Sequence, residues 1–541
     1  MSPAFIWPQP LDPLHSVALS ALAAAIPLAV VLLLMGVLRR GGLLASTCGL
    51  LSAAVLAFSI WHMPFKLAAW SVIFGYLFAT WSILWIVFNA LWLYNLSVQA
   101  GSFDLLRHWM EQHASGNPCT QAILVAFSFG ALLEGSAGFG APVAVTGYLL
   151  VGLGFEPIRA VLVSLIANTA PVAFGALGVP IVALAGVTGL DVMKLSSMVG
   201  RQLPLLSLIL PAYLALVVAG YKGLRRSWPA AVIAGASFAG AQFLVSNIWG
   251  PFVTDIVAAI SSIACLTAYL EISKPSSKEG LSMAVGREPN GHGIYTSLTL
   301  RSGIKAWLPW VWLSGVMILW SYFRLFQHGQ FPITITGLHY SVLITLYQKP
   351  YAAVYAFQPL TGGTAVLVAT ILTAICFRVK PAVFARSGMA ALRQLTKPGL
   401  TVLMIVGLAY LFNYSGMAYT IGAAVARMGT IFPILSSYLG WIACFLSGSD
   451  TSSNVLFGNL QVAAAHNLHL SEVLLAATNS SGAVTGKMIS PQNIAVGVTT
   501  VGLIGKEGTV LRHTFWHSVL LAGLLGLLAF AQAYWIPGMV P

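Results

Sequence analysis

The sequence predicts an all-α polytopic membrane protein of about twelve to fourteen crossings. A bilayer core of about 30 Å takes about 20 helical residues, and apolar stretches of that length recur from one end to the other. Of the 541 residues, 58% are hydrophobic and 7% charged, and the mean hydropathy is +0.87, well outside the soluble range. Unbroken apolar runs such as 67–95 do not alternate as barrel strands must. Backbone in lipid has to satisfy its own hydrogen bonds, so the spans are helices.

In chain order, the first span is read at 15–38. Its apolar part is too long for the core of a cleavable signal and lacks a small-residue cleavage pattern. Spans at 42–61 and 67–97 follow, then an amphipathic piece at 102–113 on the cytoplasmic face. These make up an N-terminal portion, 1–118. A glycine-rich block occupies 119–202. A central portion, 203–398, carries spans near 203–220, 229–249, 252–270, 306–323 and 361–377, with a polar loop at 271–303 whose stretch EISKPSSKEG has linker composition. A second block, rich in Ser, Asn and Gly, runs 399–505, and 506–541 holds one last span near 517–535.

The net charge of +13 reports orientation and not a nucleic-acid partner. Of the 26 Lys and Arg, 18 fall in six inter-span segments: Arg39/Arg40, Arg107, Lys222/Arg225/Arg226, 271–305, 378–397 and Lys506/Arg512. The positive-inside rule assigns these to the cytoplasm, which puts the N-terminus and the loops at 250 and 326–360 outside. The five cysteines have no metal or redox spacing and read as small apolar residues. Most Trp and Tyr are expected in interfacial belts and packing. No Walker loop, dinucleotide fingerprint or HExxH occurs, which speaks against a nucleotide-driven pump or a metalloenzyme, and no cofactor is expected.

The two blocks share a plan. The first holds EGSAGFGAP (134–142) and later ANTAPVAFG (167–175); the second holds SGSDTSSN (447–454) and later TNSSGAVTGKMISPQ (478–492). In each, a small-residue segment with one acid precedes an Asn with a hydroxyl neighbour. Paired Gly/Pro-interrupted apolar segments in two halves point to a transporter site built on broken helices. Close helix packing by small residues is the plainer reading. Gly135, Gly138, Gly140 and Pro142, with Gly448, Gly486 and Pro491, are the residues expected to interrupt helix.

Glu134 and Asp450 are the two acids expected at membrane depth, where a charge is costly and marks function or a pairing. A carboxyl group taken out of water holds its proton more readily, so both are candidates for proton coupling. The alternative is that one of them caps a broken helix. Arg201 and Lys487 are candidate partners for a carboxylate substrate, the first able to grip with two parallel bonds, the second a point charge. Alternatively they neutralise the two acids or reach an interface. Asn168, Thr169, Asn479 and Ser480, with Ser449, supply donors and acceptors for a hydroxyl and a carboxylate, or bracing for unwound backbone.

The stretches FGALLEGSAGFGAPVAV, NTAPVAFGALGVPI, MVGRQLP, FLSGSDTSSNVLF and TGKMISPQNIAVG together resemble the bacterial lactate permease family, over nearly the whole chain. That resemblance implies proton-coupled symport of L-lactate, and of D-lactate or glycolate, across the bacterial inner membrane. It also implies a fold of two inverted repeats with re-entrant hairpins, whose paired signatures would fall on Asn168/Thr169 and Asn479/Ser480, with the hairpins around Glu134 and Asp450. Sodium coupling, a different short carboxylate and a channel are the alternatives. The expected partners are therefore the substrate, protons and lipid.

Overall fold

A computed structural model describes residues 6–38, 40–113, 117–136, 138, 141–273, 300–325, 328–503 and 506–541. Gly140, Arg39 and residues 274–280 of the EISKPSSKEG linker lie outside the described residues.

The described residues are mostly helical. In order the helices are α1 (Val17–Leu32), α2 (Gly42–Ser59), α3 (Phe65–Phe78), α4 (Trp85–Gln99), α5 (Ser102–His113), α6 (Pro118–Gln121), α7 (Gly130–Ser136), α8 (Ala141–Gly152), α9 (Pro157–Ala167), α10 (Gly175–Thr188), α11 (Val192–Ile248), α12 (Thr254–Ile272), α13 (Leu300–Tyr322), α14 (Gly362–Cys376), α15 (Pro381–Ser415), α16 (Met417–Ala426), α17 (Phe432–Ser447), α18 (Asp450–Asn467), α19 (Glu472–Lys487), α20 (Pro491–Thr500) and α21 (Glu507–Tyr534). Among the described residues, ten helical stretches are long and apolar enough to cross a membrane, or eleven if α9 and the helix after it form one span bent by 66°. One of the ten, α11, has 57 residues and breaks at Ala219 and Gly220, where Gly220 sits at φ +62°. At about 1.5 Å per residue it has length for two crossings.

Two expectations are corrected. The basic segment 378–397 is not a loop: Pro381 starts α15, a 35-residue helix, so Arg386, Arg393 and Lys397 ride on helical turns that continue into the span. The turn at 250 is not a surface loop either, because Gly250, Pro251 and Val253 are buried. The amphipathic piece does form the helix α5, and its Trp109 meets Trp307 of α13 edge to face.

A little β-structure sits at one end of the bundle. β1 (Trp7–Pro8) pairs in parallel with β3 (Val342–Ile344), β3 pairs with β4 (Lys349–Pro350), and β2 (Phe331–Thr334) pairs with β5 (Val354–Phe357). The N-terminal segment and the 331–357 segment therefore share a face of the molecule. Gln9 fastens them to the helices by donating to the carbonyls of Asn413 and Tyr414 at 2.8 and 2.9 Å.

The second block packs backbone to backbone. A Cβ on Gly440 would stand 2.0 Å from the Asn479 carbonyl oxygen, one on Gly482 2.1 Å from that of Ser437, and one on Gly486 2.3 Å from that of Trp441. Small residues at Gly482 and Gly486, one helical turn apart on α19, let α17 approach to contact. Gly486 thus serves helix packing and not a helix interruption.

Candidate functional site

Glu134 is buried in the first block. It lies in the short helix α7, 3% exposed, just before the segment in which Gly138 adopts φ +59°. The wall facing it is a strained turn: Ala176, Leu177 and Gly178 all have positive φ, at 44°, 61° and 72°. For the two non-glycine residues this costs about 1–2 kcal/mol each, and such strain concentrates at functional sites. Gly175 is required by space, since its Cβ would fall 2.7 Å from Glu134 Oε1. Gly178 is required twice, by its φ and by Pro251, which a Cβ would meet at 2.7 Å. Pro142 lies in the first turn of α8, where its missing N–H is harmless, and its carbonyl accepts from Thr146 Oγ1 at 2.8 Å.

Two interruptions bring polar groups together. Between α9 and α10, residues 168–171 are turn, because Pro171 has no N–H to continue the ladder. Between α19 and α20, the helix stops after Lys487 and restarts with Ser490 as cap and Pro491 in the first turn, where its missing N–H costs nothing. Asn168, Thr169, Lys487 and Asn493 line one narrow recess with Val143, Leu165, Val484 and Met488. Asn168 Oδ1 and Thr169 Oγ1 are buried there with no hydrogen-bond partner. Asn493 Nδ2 braces the break, donating to Ser490 Oγ at 2.7 Å and to the carbonyls of Gly448 and Lys487 at 3.2 and 3.3 Å.

Lys487 Nζ donates to Glu134 Oε1 at 2.6 Å, and both side chains are buried. The first block supplies the acid and the second the base, so the pair ties the blocks at the point where both have broken helices. At the last turn of α19 the ammonium also faces the negative end of the helix dipole. It has three donors, and Glu134 Oε2 is buried without a partner.

A family profile described as L-lactate permease matches residues 20–536. The chain belongs to the L-lactate permease family. A glycolate permease of Escherichia coli is 40% identical over 560 aligned positions, covering 99% of each chain. L-lactate permeases of Salmonella typhimurium and Bacillus subtilis are each 38% identical, covering 99% of this chain and all of theirs. Among solved structures, the YdaH transporter of Alcanivorax borkumensis aligns over 83% of this chain and 84% of its own, at 14% identity and TM-score 0.45. The protein is accordingly a multi-pass permease of the bacterial membrane and not an enzyme.

The remaining site candidates in this permease sort differently from the sequence expectation. Asn479 and Ser480 are not at a helix break: they lie within α19, fully buried. Asn479 Nδ2 donates to Asn454 Oδ1 at 3.0 Å and Ser453 Oγ at 3.4 Å, its Oδ1 accepts from Gln461 at 3.2 Å, and Ser480 donates to Asp450 Oδ2 at 2.9 Å. These bonds brace α19 against α18. Ser449, not Asp450, caps α18, accepting from the Ser452 N–H at 3.2 Å. Gly448 closes α17 at φ +70°. Asn454 Nδ2 reaches the Pro180 carbonyl at 3.2 Å and so links α18 to the strained turn's helix.

Arg201 is held elsewhere. Its Nε donates to Asn247 Oδ1 at 3.1 Å and its NH1 to the Met539 carbonyl at 2.7 Å. It clamps the end of α11 to the chain's last residues. Its neighbour Gln202 is the inward one, donating to Thr478 Oγ1 and Gln532 Oε1 at 2.9 and 3.0 Å.

Sequence reasoning missed Asp255, 1% exposed, in the first turn of α12. The span read at 252–270 contains it, but its acid is not among those expected at membrane depth. The signal was available: an acid only a few residues from the Gly250–Pro251 break between two apolar runs.

Proposed function

We propose that this permease carries L-lactate and related 2-hydroxymonocarboxylates, D-lactate and glycolate, into the cell together with a proton. The observation behind this reading is the meeting of two helix breaks at Lys487, beside the unpartnered acceptors of Asn168 and Thr169. The names of the L-lactate and glycolate permeases it resembles support the substrate class.

In this reading the substrate carboxylate takes Lys487 from Glu134, and the 2-hydroxyl meets Asn168 and Thr169. Glu134, released from its cation in a low-dielectric surrounding, takes up the proton. Anion and proton then cross as a neutral pair, which avoids moving net charge through the barrier. The inverted relation of the two blocks, Asp450 as a second coupling acid and a periplasmic N-terminus belong to the same proposal.

The test is uptake of labelled L-lactate into proteoliposomes under an inward proton gradient with Na⁺ absent, challenged by unlabelled glycolate. Accumulation that glycolate suppresses supports the reading. Accumulation only with a Na⁺ gradient replaces the proton, and no uptake in tight vesicles removes the substrate.

A further inference from the structure

Asp255 belongs to no part of the mechanism above, yet the fold goes to some length to place it. The turn carrying it is wedged between two glycines of the first block. A Cβ on Gly135 would stand 2.8 Å from Asp255 Cβ, and one on Gly178 2.7 Å from Pro251 Cβ. The Asp255 carboxyl therefore lies beside the backbone that carries Glu134. Both of its oxygens are buried, and neither has a hydrogen-bond partner. The groups that face it are Glu134, Lys487 and Gln242. The amide nitrogen of Gln242 gives one N–H to the Ala170 carbonyl at 3.2 Å and its oxygen accepts from Ser207 Oγ at 2.8 Å, which leaves a single neutral N–H facing Asp255. Lys487 has its hydrogen bond with Glu134.

The charges then do not balance. Lys487 neutralises one carboxylate, and a second bare carboxylate in the same dry space, with no cation of its own, would cost several kcal/mol. A purely structural acid at such a place is expected to hold an Arg, a Lys or a row of backbone N–H groups, and Asp255 holds none of these.

We infer that Asp255 is a further proton-holding carboxyl of the coupling site, working with Glu134 across Gly135. This rests on the symport reading above. While Glu134 is paired with Lys487, Asp255 holds the proton. When a substrate carboxylate takes Lys487, the proton moves to Glu134: the O–H bond at Asp255 breaks, one forms at Glu134, and the negative charge passes the other way. Asp255 is reprotonated from the outer water before the site closes, so the occluded site is neutral; on the inner side the substrate leaves, Glu134 releases its proton to the cytoplasm and pairs with Lys487 again, and one proton has been carried for each anion.

The experiment compares full-length wild type and Asp255→Asn in proteoliposomes, measuring gradient-driven accumulation of L-lactate, its pH profile, and exchange of internal against external L-lactate at equal pH. The expected result is that accumulation falls by about tenfold or more, as for loss of a positioned proton carrier, with a flattened pH profile and exchange within about twofold of wild type. Wild-type accumulation and pH profile in the variant would overturn the inference. So would equal loss of accumulation and exchange in protein that remains monodisperse, since that marks a structural role. Asp255→Glu, which keeps a carboxyl, should restore part of the pH dependence, and failure of this rescue alongside normal exchange would assign the effect to shape. If wild type itself accumulates no lactate under a proton gradient, the symport reading fails first, whatever Asp255 does.

Discussion

Lys487 and Glu134 are 353 residues apart in sequence and 2.6 Å apart in space. Among the described residues their bond is the one direct ion pair between the two blocks, and it lies where both blocks have broken helices.

Removing one partner of this pair leaves a buried charge alone. Lys487→Gln is expected to destabilise the protein by about 3–5 kcal/mol, and Glu134→Gln/Lys487→Gln to recover most of that loss. Melting temperatures in detergent check the stability, and lactate uptake should be absent from both. A double variant as unstable as the single one would show that the residues matter independently.

Asn168 and Asn479 should separate. Asn168 Oδ1 and Thr169 Oγ1 have no protein partner, so Asn168→Ala and Thr169→Val should leave melting within about 1 kcal/mol of wild type and raise KM about tenfold, one to two lost substrate hydrogen bonds. Asn479 bonds Asn454, Ser453 and Gln461, so Asn479→Ala should cost about 1–3 kcal/mol in stability with near-normal KM in what folds. The opposite pattern would return Asn479 to the substrate site.

Gly175→Ala isolates steric fit from backbone strain. Its φ and ψ of −62° and 157° suit any residue, so the cost comes from the methyl group pressed against Glu134 Oε1. A fall in uptake of about tenfold or more with a loss of only about 1–3 kcal/mol in stability is expected. Unchanged kinetics would mean that Glu134 can move away without consequence.

Arg201 is expected to matter for stability alone. Arg201→Gln breaks its bonds to Asn247 and Met539 and should cost about 1–2 kcal/mol with KM unchanged. A large rise in KM in folded protein would instead place its guanidinium on the substrate.

Gly440→Ala tests how close α17 and α19 must come. Its Cβ would stand 2.0 Å from the Asn479 carbonyl oxygen, and rigid backbone cannot yield as a side chain can, so about 3 kcal/mol or more of destabilisation is expected. Normal melting would show that the two helices separate freely.

The sequence by itself determined the membrane class, the positions of most spans, the amphipathic helix at 102–113, the two interrupted blocks and Glu134 with Lys487 as site candidates. These follow from composition, from apolar run length and from where glycine and proline fall, all of them local. It did not determine which candidate meets which. The chemistry of Asn479 and Asn168 is the same, but one lies within a helix packed through Gly440 and Gly482, where its amide finds partners, and the other at a break, where it does not. Asp255 falls inside the span read at 252–270, but nothing local shows that Gly135 and Gly178 admit its turn beside Glu134. Pairing, burial and orphaned polar groups are decided by contacts between segments far apart in the chain, and only the packed helices set those distances.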